Sequence, residues 1–451
     1  MCSRWPGFSS KMEIPDRGFE PGNAFIRSAF NRPCLQMTHL PHAVLPDIGI
    51  FAAYAVFLGS YVVFAIGKFP GMKIDRPGAA IIGAVLMVAF RIVLPQDALH
   101  FIDFNTIVLL FSMMLIVGYL RLAGFFEWIT ELILTRLKPH HLLPTVIFTC
   151  GLLSAFFVND IICLVMVPFV LSATKRLGIK PLPYLLAVAT AANIGSVATI
   201  TGNPQNMLIG SLSGIRYSSF LLDLAPVAMV GLLLDWLVLH LAFSRAGMRD
   251  PSLAIPVVVR AGNRSSLIKP GIVAALVLAG FVAGVPPALM AALGAAMMLI
   301  TRSRDPHQAY RQVDWGVLVF FVGLFIIVGG AEKAGLVGFL LSFARTWNLQ
   351  SPGIFTVVVA ATSNLVSNVP AVMLLKSLVP GFANSHRGWL ILAMASTLAG
   401  NLTITGSVAN IIVVERAKPE VDISFRDYFR VGLPVTLLTL GFGLLWLWWL
   451  R

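Results

Sequence analysis

Long apolar runs alternate with short polar segments along the chain after residue 45. A helix needs roughly 20 apolar residues to cross the ~30 Å hydrocarbon core of a bilayer. The runs near that length predict about ten membrane-spanning helices in an all-α protein. They lie near residues 47–67, 78–95, 104–122, 182–215, 220–243, 269–285, 286–301, 315–331, 386–417 and 431–450.

Two further apolar stretches, residues 142–172 and 352–380, are interrupted midway by polar residues. Asn159-Asp160 interrupts the first stretch, and Asn364 with Ser367-Asn368-Val369-Pro370 interrupts the second. Each arm is expected to be too short to span the membrane. We therefore predict that each stretch is a re-entrant hairpin.

Lys and Arg are distributed unequally between the predicted loops. If the first span starts outside, the cytoplasmic segments hold 21 of these residues and the outer side holds six, excluding the N-terminal tail and Lys376. Cytoplasmic loops carry such an excess, so the first span is predicted to begin outside. The tail at residues 1–45 adds five basic residues to the outer side and lacks the apolar stretch of a signal peptide. We expect translation to start at Met37; a disordered extension is the alternative.

Short segments recur at a nearly constant offset. Pro95-Gln96-Asp97-Ala98 aligns with Pro306-His307-Gln308-Ala309 at an offset of 211, and Thr199-Ile200-Thr201-Gly202 aligns with Thr403-Ile404-Thr405-Gly406 at 204. Each half holds five predicted spans, an odd number, which predicts an inverted repeat. The predicted parts are the tail, a first repeat, a cytoplasmic linker and a second repeat, at residues 1–45, 46–243, 244–268 and 269–451.

Composition agrees with this membrane pattern. Apolar residues make up 57% of the 451 residues, charged residues make up 12%, and the mean hydropathy is +0.85. Soluble domains carry about 25% charged residues, so a soluble domain is excluded. The net charge of +13 does not indicate nucleic-acid binding, because the basic residues lie between apolar runs. No nucleotide-binding GxxxxGK[ST] motif occurs, and the Cys spacing indicates no metal site or disulfide framework.

Amides, hydroxyls and glycines interrupt the apolar runs at both hairpin tips and within the 182–215 and 386–417 spans. Unsatisfied polar groups in hydrocarbon cost several kcal/mol, and a shared site near the bilayer midplane would give these groups partners. The alternative is that the Asn side chains only join helices by hydrogen bonds. The candidate substrate- or ion-binding residues are Asn159, Asp160, Asn193, Thr201, Gly202, Asn203, Asn206, Ser363, Asn364, Asn368, Asn401, Thr405, Gly406 and Asn410.

Asp160 is the carboxylate at these interruptions, and an acid inside the membrane is a functional-site hypothesis. A partly desolvated Asp160 could load and release a proton and so couple transport to protons. The alternative is an ion pair or a helix cap that holds the hairpin. Asp235 lies deeper in the 220–243 span and is a weaker candidate for a second relay group. Asp103 and Asp314 begin matching spans, which predicts helix capping.

Several motifs resemble those of ArsB-type permeases. The segment from Leu152 to Asp160, the segment from Ala192 to Asn206, and the segment from Gly400 to Asn410 are similar to the hairpin and the two broken helices of that family. The family belongs to the ion transporter superfamily, with the citrate-transporter-like domain, the divalent anion/sodium symporters and the NhaD-type antiporters. The resemblance covers nearly everything after residue 45. It implies an elevator-type transporter, in which hairpins and broken helices move against a scaffold.

These observations predict a secondary transporter in the plasma membrane that moves a small anion or oxyanion such as arsenite, coupled to H⁺ or Na⁺. A sodium/proton antiporter of the NhaD kind and a sodium-coupled di- or tricarboxylate symporter are the alternatives. An enzyme is disfavoured, because hydroxyls within the apolar runs, such as Ser363 and Thr362, would need a base, and His240, near a span's inner end, is the one histidine within an apolar run. We expect no cofactor, bound metal or nucleic-acid partner, and a homodimer remains open.

Overall fold

The computed structural model describes residues 47–67, 73–136, 141–243, 265–300 and 305–450. These residues form twenty α-helices and no β-strand. The helices of the first half are α1 Asp47–Ile66, α2 Arg76–Ala89, α3 Pro95–Phe101, α4 Phe104–Ala123, α5 Phe125–Arg136, α6 Leu142–Phe156, α7 Asn159–Leu177, α8 Leu182–Ser196, α9 Pro204–Ser213 and α10 Tyr217–Phe243.

The second half repeats this order of helices. They are α11 Ser265–Val282, α12 Pro287–Leu299, α13 Pro306–Tyr310, α14 Trp315–Lys333, α15 Leu336–Thr346, α16 Pro352–Val366, α17 Asn368–Leu375, α18 Ser385–Leu398, α19 Val408–Ala417 and α20 Phe425–Trp449. A short 3₁₀-helix, Lys376–Gly381, follows α17. The expected tail and most of the linker, residues 1–46 and 244–264, lie outside the described residues.

Five helices are long and apolar enough to cross a membrane by themselves within the described part of the chain: α1, α4, α10, α14 and α20. The other apolar helices are shorter. The predicted span at 78–95 contains only the 14-residue α2, because the backbone turns at Arg91, which has a φ of +56°. The all-α, multi-pass membrane fold predicted from the sequence is confirmed.

Both predicted hairpins and both broken spans are present. Hairpin one is α6 and α7, with the break at Phe157-Val158, and hairpin two is α16 and α17, with the break at Ser367. Broken helix one is α8 and α9, and broken helix two is α18 and α19. One expectation was wrong: the second arm of hairpin one is not short. It reaches 19 residues because α7 continues past the end of the apolar stretch, through Lys175 and Arg176, to Leu177.

The packing exchanges elements between the halves. Helix α4 packs against α12, and the corresponding α14 packs against α2. Helix α7 packs against α19, and α17 against α9, while α10 packs against its own counterpart α20. Such reciprocal contacts are those of two related halves joined about a pseudo-two-fold axis.

Asp side chains and prolines fix where several helices begin. Asp75 Oδ1 accepts the Gly78 N–H at 2.9 Å, and Asp314 Oδ1 accepts the Val317 N–H at 3.1 Å. Asp103 caps α4 in the same way, so the predicted caps at Asp103 and Asp314 are confirmed. Proline stands in the first turn of α2, α9 and α13, where the backbone N–H that proline lacks would have no partner within the helix.

Candidate functional site

Six helices begin around one cavity of about 350 Å³. Two are α7 and α17, which follow the hairpin breaks, and two are α9 and α19, the second halves of the broken helices. The other two are α2 and α14. First-turn or N-cap residues of all six line the cavity, and the aromatic rings of Phe320 and Phe321 on α14 add an apolar wall.

The charges around this cavity nearly balance. A helix N-terminus acts as about half a positive charge, so six of them contribute about +3. The carboxylates of Asp75, Asp160 and Asp314 and the guanidinium of Arg76 also line the cavity. With all three acids ionised, the sum is a surplus of about one positive charge, on the same reckoning. The cavity therefore suits a neutral solute or one with a single negative charge.

Asn159 stands at the tip of hairpin one with one free polar atom. Its backbone N–H donates to the Gly202 carbonyl at 2.9 Å, and its Nδ2 donates to Asn193 Oδ1 at 3.0 Å. Its Oδ1 is buried and accepts no hydrogen bond. The neighbouring Asp160 is half-buried and interacts electrostatically with Asp314 across the cavity. Both tip residues line the cavity, and Asp160 is the less buried of the two.

The tip of hairpin two uses different residues. Ser367 has a φ of +78°, which L-residues rarely adopt, and the backbone there turns into α17. The Asn368 side chain makes hydrogen bonds with both of its amide atoms. Its Nδ2 donates to the Gly406 carbonyl (3.1 Å), and its Oδ1 accepts from Gln205 Nε2 (3.2 Å). Asn368 therefore connects hairpin two with both broken helices.

Asn193 lies behind the cavity wall, at the centre of a network of buried amides. Its Nδ2 donates to Asn401 Oδ1 at 2.9 Å and to Asn410 Oδ1 at 3.0 Å. Its Oδ1 accepts from Asn159 Nδ2 and from Ser407 Oγ, each at 3.0 Å. An Asn side chain offers two donor hydrogens and about two lone pairs, so Asn193 has no capacity left for a solute.

Asn206 and Asn410 make equivalent bonds in the two halves. Asn206 Nδ2 donates to the Ser196 and Thr199 carbonyls, both at 3.0 Å. Asn410 Nδ2 donates to the Gly400 and Thr403 carbonyls at 2.7 and 3.0 Å. These carbonyls belong to the end of the first half-helix and to the unwound segment after it. Each amide thus satisfies backbone groups that the helix break leaves without intrahelical partners.

Hydroxyls and Asn203 complete broken helix one. Asn203 caps α9, since its Oδ1 accepts the Asn206 N–H at 2.8 Å. The Thr201 hydroxyl lies 2.9 Å from the Tyr217 hydroxyl. Gly202 approaches the Ser196 carbonyl so closely that a Cβ would overlap it. These contacts explain the residue types in the break without a solute.

Similar contacts hold broken helix two. Ser363 Oγ donates to the Ser396 carbonyl, and Asn364 Nδ2 donates to the Ala399 carbonyl, both at 2.8 Å. A Cβ on Gly406 would lie 2.7 Å from Asn364 Oδ1. Thr405 is exposed.

The predicted site residues therefore form two groups. Asn159, Asp160 and Asn368 line the cavity. The remaining candidates lie outside its lining, and most of them are buried in the network behind it. They are Asn193, Thr201, Gly202, Asn203, Asn206, Ser363, Asn364, Asn401, Thr405, Gly406 and Asn410.

The cavity also includes residues that the sequence analysis did not select. Asp75, Arg76, Gln205, Ser407 and the cap Asp314 line it. The signal for Asp75 and Asp314 was their place at the beginning of a helix after a short loop. Nothing in the sequence alone shows that α2 and α14 begin opposite the hairpin tips.

Asp235 lies elsewhere, fully buried on α10. Its Oδ2 lies 3.0 Å from the Thr190 hydroxyl, and its Oδ1 has no hydrogen-bond partner. Across the described ranges, no three His, Cys, Asp or Glu side chains lie close enough to hold a metal ion.

The sequence profile of the family described as "Citrate transporter" matches residues 61–399, well over half of the chain. The chain belongs to the citrate transporter family. The resemblance to permeases of the ion transporter superfamily is thereby confirmed at the level of the family. Members named among its relatives are transporters, so this citrate transporter family protein is a multi-pass membrane transporter and not an enzyme.

Relatives of the chain cover nearly its full length. The silicon efflux transporter LSI3 of Oryza sativa is 29% identical, over 91% of this chain and 98% of that protein. The 46 kDa membrane protein of Mycobacterium leprae is 30% identical, over 88% and 97%. The putative transporter arsB of Dictyostelium discoideum is 26% identical, over 82% and 87%.

A solved structure has a similar fold. The crystal structure of the Alcanivorax borkumensis YdaH transporter, described as having an unusual topology, matches with a TM-score of 0.55 at 14% identity. The match covers 89% of this chain and 97% of that chain. At this identity the likeness concerns the fold alone.

Proposed function

We propose that this protein is a secondary active transporter of a small inorganic oxyacid, with arsenite as the leading cargo, in the plasma membrane. The supporting observation is the charge balance of the cavity, where six helix N-termini and Arg76 offset three carboxylates. The surplus is about one positive charge. A tricarboxylate would bring more negative charge than this surplus balances, whereas arsenous acid is neutral or singly ionised near neutral pH.

Hydrogen-bonding capacity favours the same cargo. Arsenous and silicic acids present hydroxyl groups, which need acceptors as well as donors. The Asp160 carboxylate supplies an acceptor at the cavity wall, while the first-turn N–H groups of α9 and α19 supply donors. The names of the relatives in rice and in Dictyostelium point to the same chemical class.

Asp160 is proposed to couple transport to H⁺ or Na⁺. It follows the hairpin tip directly, lines the cavity and has Asp314 as a second negative charge nearby. Binding a proton or a cation at Asp160 would relieve this repulsion and change the charge that the cargo meets. A homodimer is part of the proposal and can be checked by cross-linking in isolated membranes.

Sodium/proton antiport is the second candidate, because three carboxylates around one cavity could also attract a cation. The two candidates differ in whether an added cation alone moves protons.

The test uses purified protein in sealed vesicles with an internal pH dye. Arsenite, silicic acid, citrate, succinate, NaCl and LiCl are added singly, with and without an imposed pH gradient, and cargo uptake is measured by elemental analysis. We expect uptake of arsenite or silicic acid, accelerated by preloaded cargo. Proton movement on adding Na⁺ or Li⁺ alone would replace the proposal with antiport, and uptake of citrate alone would refute the charge argument.

A further inference from the structure

Asp235 is buried in the interface between α10 and α20, away from the cavity. The two helices run antiparallel, since Trp446 Nε1 donates to the Asp223 carbonyl at 2.8 Å and Gly231 lies beside Thr439. Continuing this register by one turn brings Asp235 to the level of Thr436. Asp235 Oδ1 and Thr436 Oγ1 are both buried without a hydrogen-bond partner.

The hydrogen bonds around Thr190 indicate the state of this acid. The Thr190 hydroxyl lies 2.9 Å from the Leu186 carbonyl and 3.0 Å from Asp235 Oδ2. A hydroxyl has one hydrogen, so the Thr190 hydroxyl donates either to the Leu186 carbonyl or to an ionised Asp235, and not to both. If Asp235 carries a proton on Oδ2, the acid donates to Thr190 Oγ1 and the hydroxyl donates to Leu186. The Asp235 proton and the Thr190 hydroxyl then each have an acceptor.

The surroundings contain no positive charge to balance an ionised Asp235. The titratable groups that interact with it are Cys150 on α6 and Tyr428 on α20, and α8 presents Thr190. The cations on α20, Arg426 and Arg430, and His240 on α10 are not among the groups that interact with Asp235. The charged groups of the other packed helices, α11 and α18, are engaged elsewhere: Lys269 with the Ile300 carbonyl, His386 with Asp223, and Arg387 with the Leu450 carbonyl. No ion pair within the described ranges includes Asp235. An isolated buried carboxylate is costly, which favours the neutral acid.

Hydrogen bonds at two groups of Thr190, its side-chain hydroxyl and its backbone carbonyl, connect this acid with the amide network beside the cavity. Asn401 Nδ2 donates to the Thr190 carbonyl at 3.3 Å, and Asn401 Oδ1 accepts from Asn193 at 2.9 Å. Asn193 in turn accepts from Asn159 at the hairpin tip, at 3.0 Å. If Asp235 loses its proton, it competes with the Leu186 carbonyl for the Thr190 hydroxyl. The change therefore acts on Thr190, whose backbone carbonyl accepts the hydrogen bond from Asn401.

We propose that Asp235 is an interior proton-binding site of the transport cycle, protonated in the conformation described here and linked to the cavity through Thr190 and the amide network. The inference rests on the proposed function and assigns H⁺ as a coupling ion. Thr436 offers an unused hydroxyl that could donate to Asp235 Oδ1 once the acid is ionised.

Infrared difference spectroscopy tests the protonation state without any cargo. Spectra of the purified wild type minus Asp235→Asn at neutral pH should contain the carbonyl stretch of a protonated carboxylic acid. The exposed cap Asp305, exchanged for Asn, is the control and should lack that band. Carboxylate bands in place of the acid band would overturn the inference, whatever the vesicle assays show for the cargo.

Transport measurements then test the role in coupling. Asp235→Asn keeps a donor for Thr190, so it should fold, and cargo exchange without a gradient should continue. Uptake driven by a pH gradient should fall at least tenfold. If this variant fails to fold, Thr190→Val is the second variant. It removes the Thr190 hydroxyl that accepts the hydrogen bond from protonated Asp235, so the pH dependence of uptake should shift. Gradient-driven uptake equal to that of the wild type in Asp235→Asn would refute the coupling role. Absence of cargo flux in the wild type would refute the proposed function instead, leaving the infrared result to decide the proton site.

Discussion

Exchanging Asn193 for Ala should destabilise the protein rather than weaken cargo binding. The Asn193 side chain makes four hydrogen bonds, two as donor and two as acceptor, and all its partners are buried side chains. Its capacity is thereby used in full. The side chain therefore serves as a junction between the two halves, and its loss affects both.

The magnitude follows from the partners. A buried hydrogen bond contributes about 1 kcal/mol net, so the loss is about 4 kcal/mol, and more where a group stays unsatisfied. Asn401 and Asn410 keep bonds to backbone carbonyls through their Nδ2 atoms. Asn159 Nδ2 and Ser407 Oγ have Asn193 Oδ1 as their hydrogen-bond acceptor, so they bear most of the penalty.

Thermal unfolding in detergent, followed by fluorescence-detected gel filtration, measures this loss. One kcal/mol shifts Tm by about 2 °C in chains of some 200 residues and by less in longer ones, so we expect a decrease of roughly 4–8 °C. Asn105→Ala is the control, because Asn105 is exposed and bonds Asp103 through its backbone N–H. A Tm within about 1 °C of the wild type, with weaker cargo binding, would show that Asn193 contacts the cargo and would refute the reasoning.

Three further exchanges test the cavity and its supports. Asp160→Asn should abolish gradient-driven uptake while leaving Tm near that of the wild type. The control, Asp305→Asn, should change neither the uptake nor the Tm. Retained ion-driven uptake in Asp160→Asn would exclude the coupling role. Gly195→Leu should prevent folding, because even a Cβ there would overlap the backbone of α6, whereas Gly271→Leu faces open space and should fold; equal yields would contradict the packing. Ser367→Gly should raise stability by about 1 kcal/mol, since glycine relieves the positive φ; a lower Tm would show that the Ser367 side chain makes a stabilising contact.

Local sequence patterns were sufficient to predict the elements of this fold. Broken helix one was predictable because Gly202, Asn203 and Pro204 stand together in an apolar run, and such residues end one helix and begin another. The caps at Asp103 and Asp314 were predictable for the same local reason. The length of α7 was not, because the helix continues through Lys175 and Arg176, beyond the apolar run from which its end was predicted.

The composition of the cavity wall depends on contacts between residues far apart in sequence. The sequence predicted Asn206 and Asn410 as site residues. In the structure, however, their side-chain amides donate to backbone carbonyls of their own helix breaks. The sequence indicated only that Arg76 is a cytoplasmic basic residue, yet in the structure it lines the same cavity as Asn159 and Asn368. Whether an amide faces a solute or a backbone carbonyl is set by the geometry of the break, which residue types alone do not specify.

The cavity lies between two sets of helices that are held together differently. Hairpin one is bound to broken helix one by the Asn159 N–H and the Gly202 carbonyl, and hairpin two is bound to broken helix two through Ser363 and Asn364. Helices α2 and α14 are packed against each other and against α1 instead. Polar contacts that join the two sets include Tyr61 with the Pro370 carbonyl at 3.0 Å and Lys376 with Glu332 at 3.2 Å, and both reach hairpin two. A movement of the hairpins and broken helices past α2 and α14 would have to break these two contacts, while the amide network that contains Asn193 could move as one piece. The elevator-type movement that the family resemblance implies would therefore carry the cavity wall formed by α7, α9, α17 and α19 past the wall formed by α2 and α14.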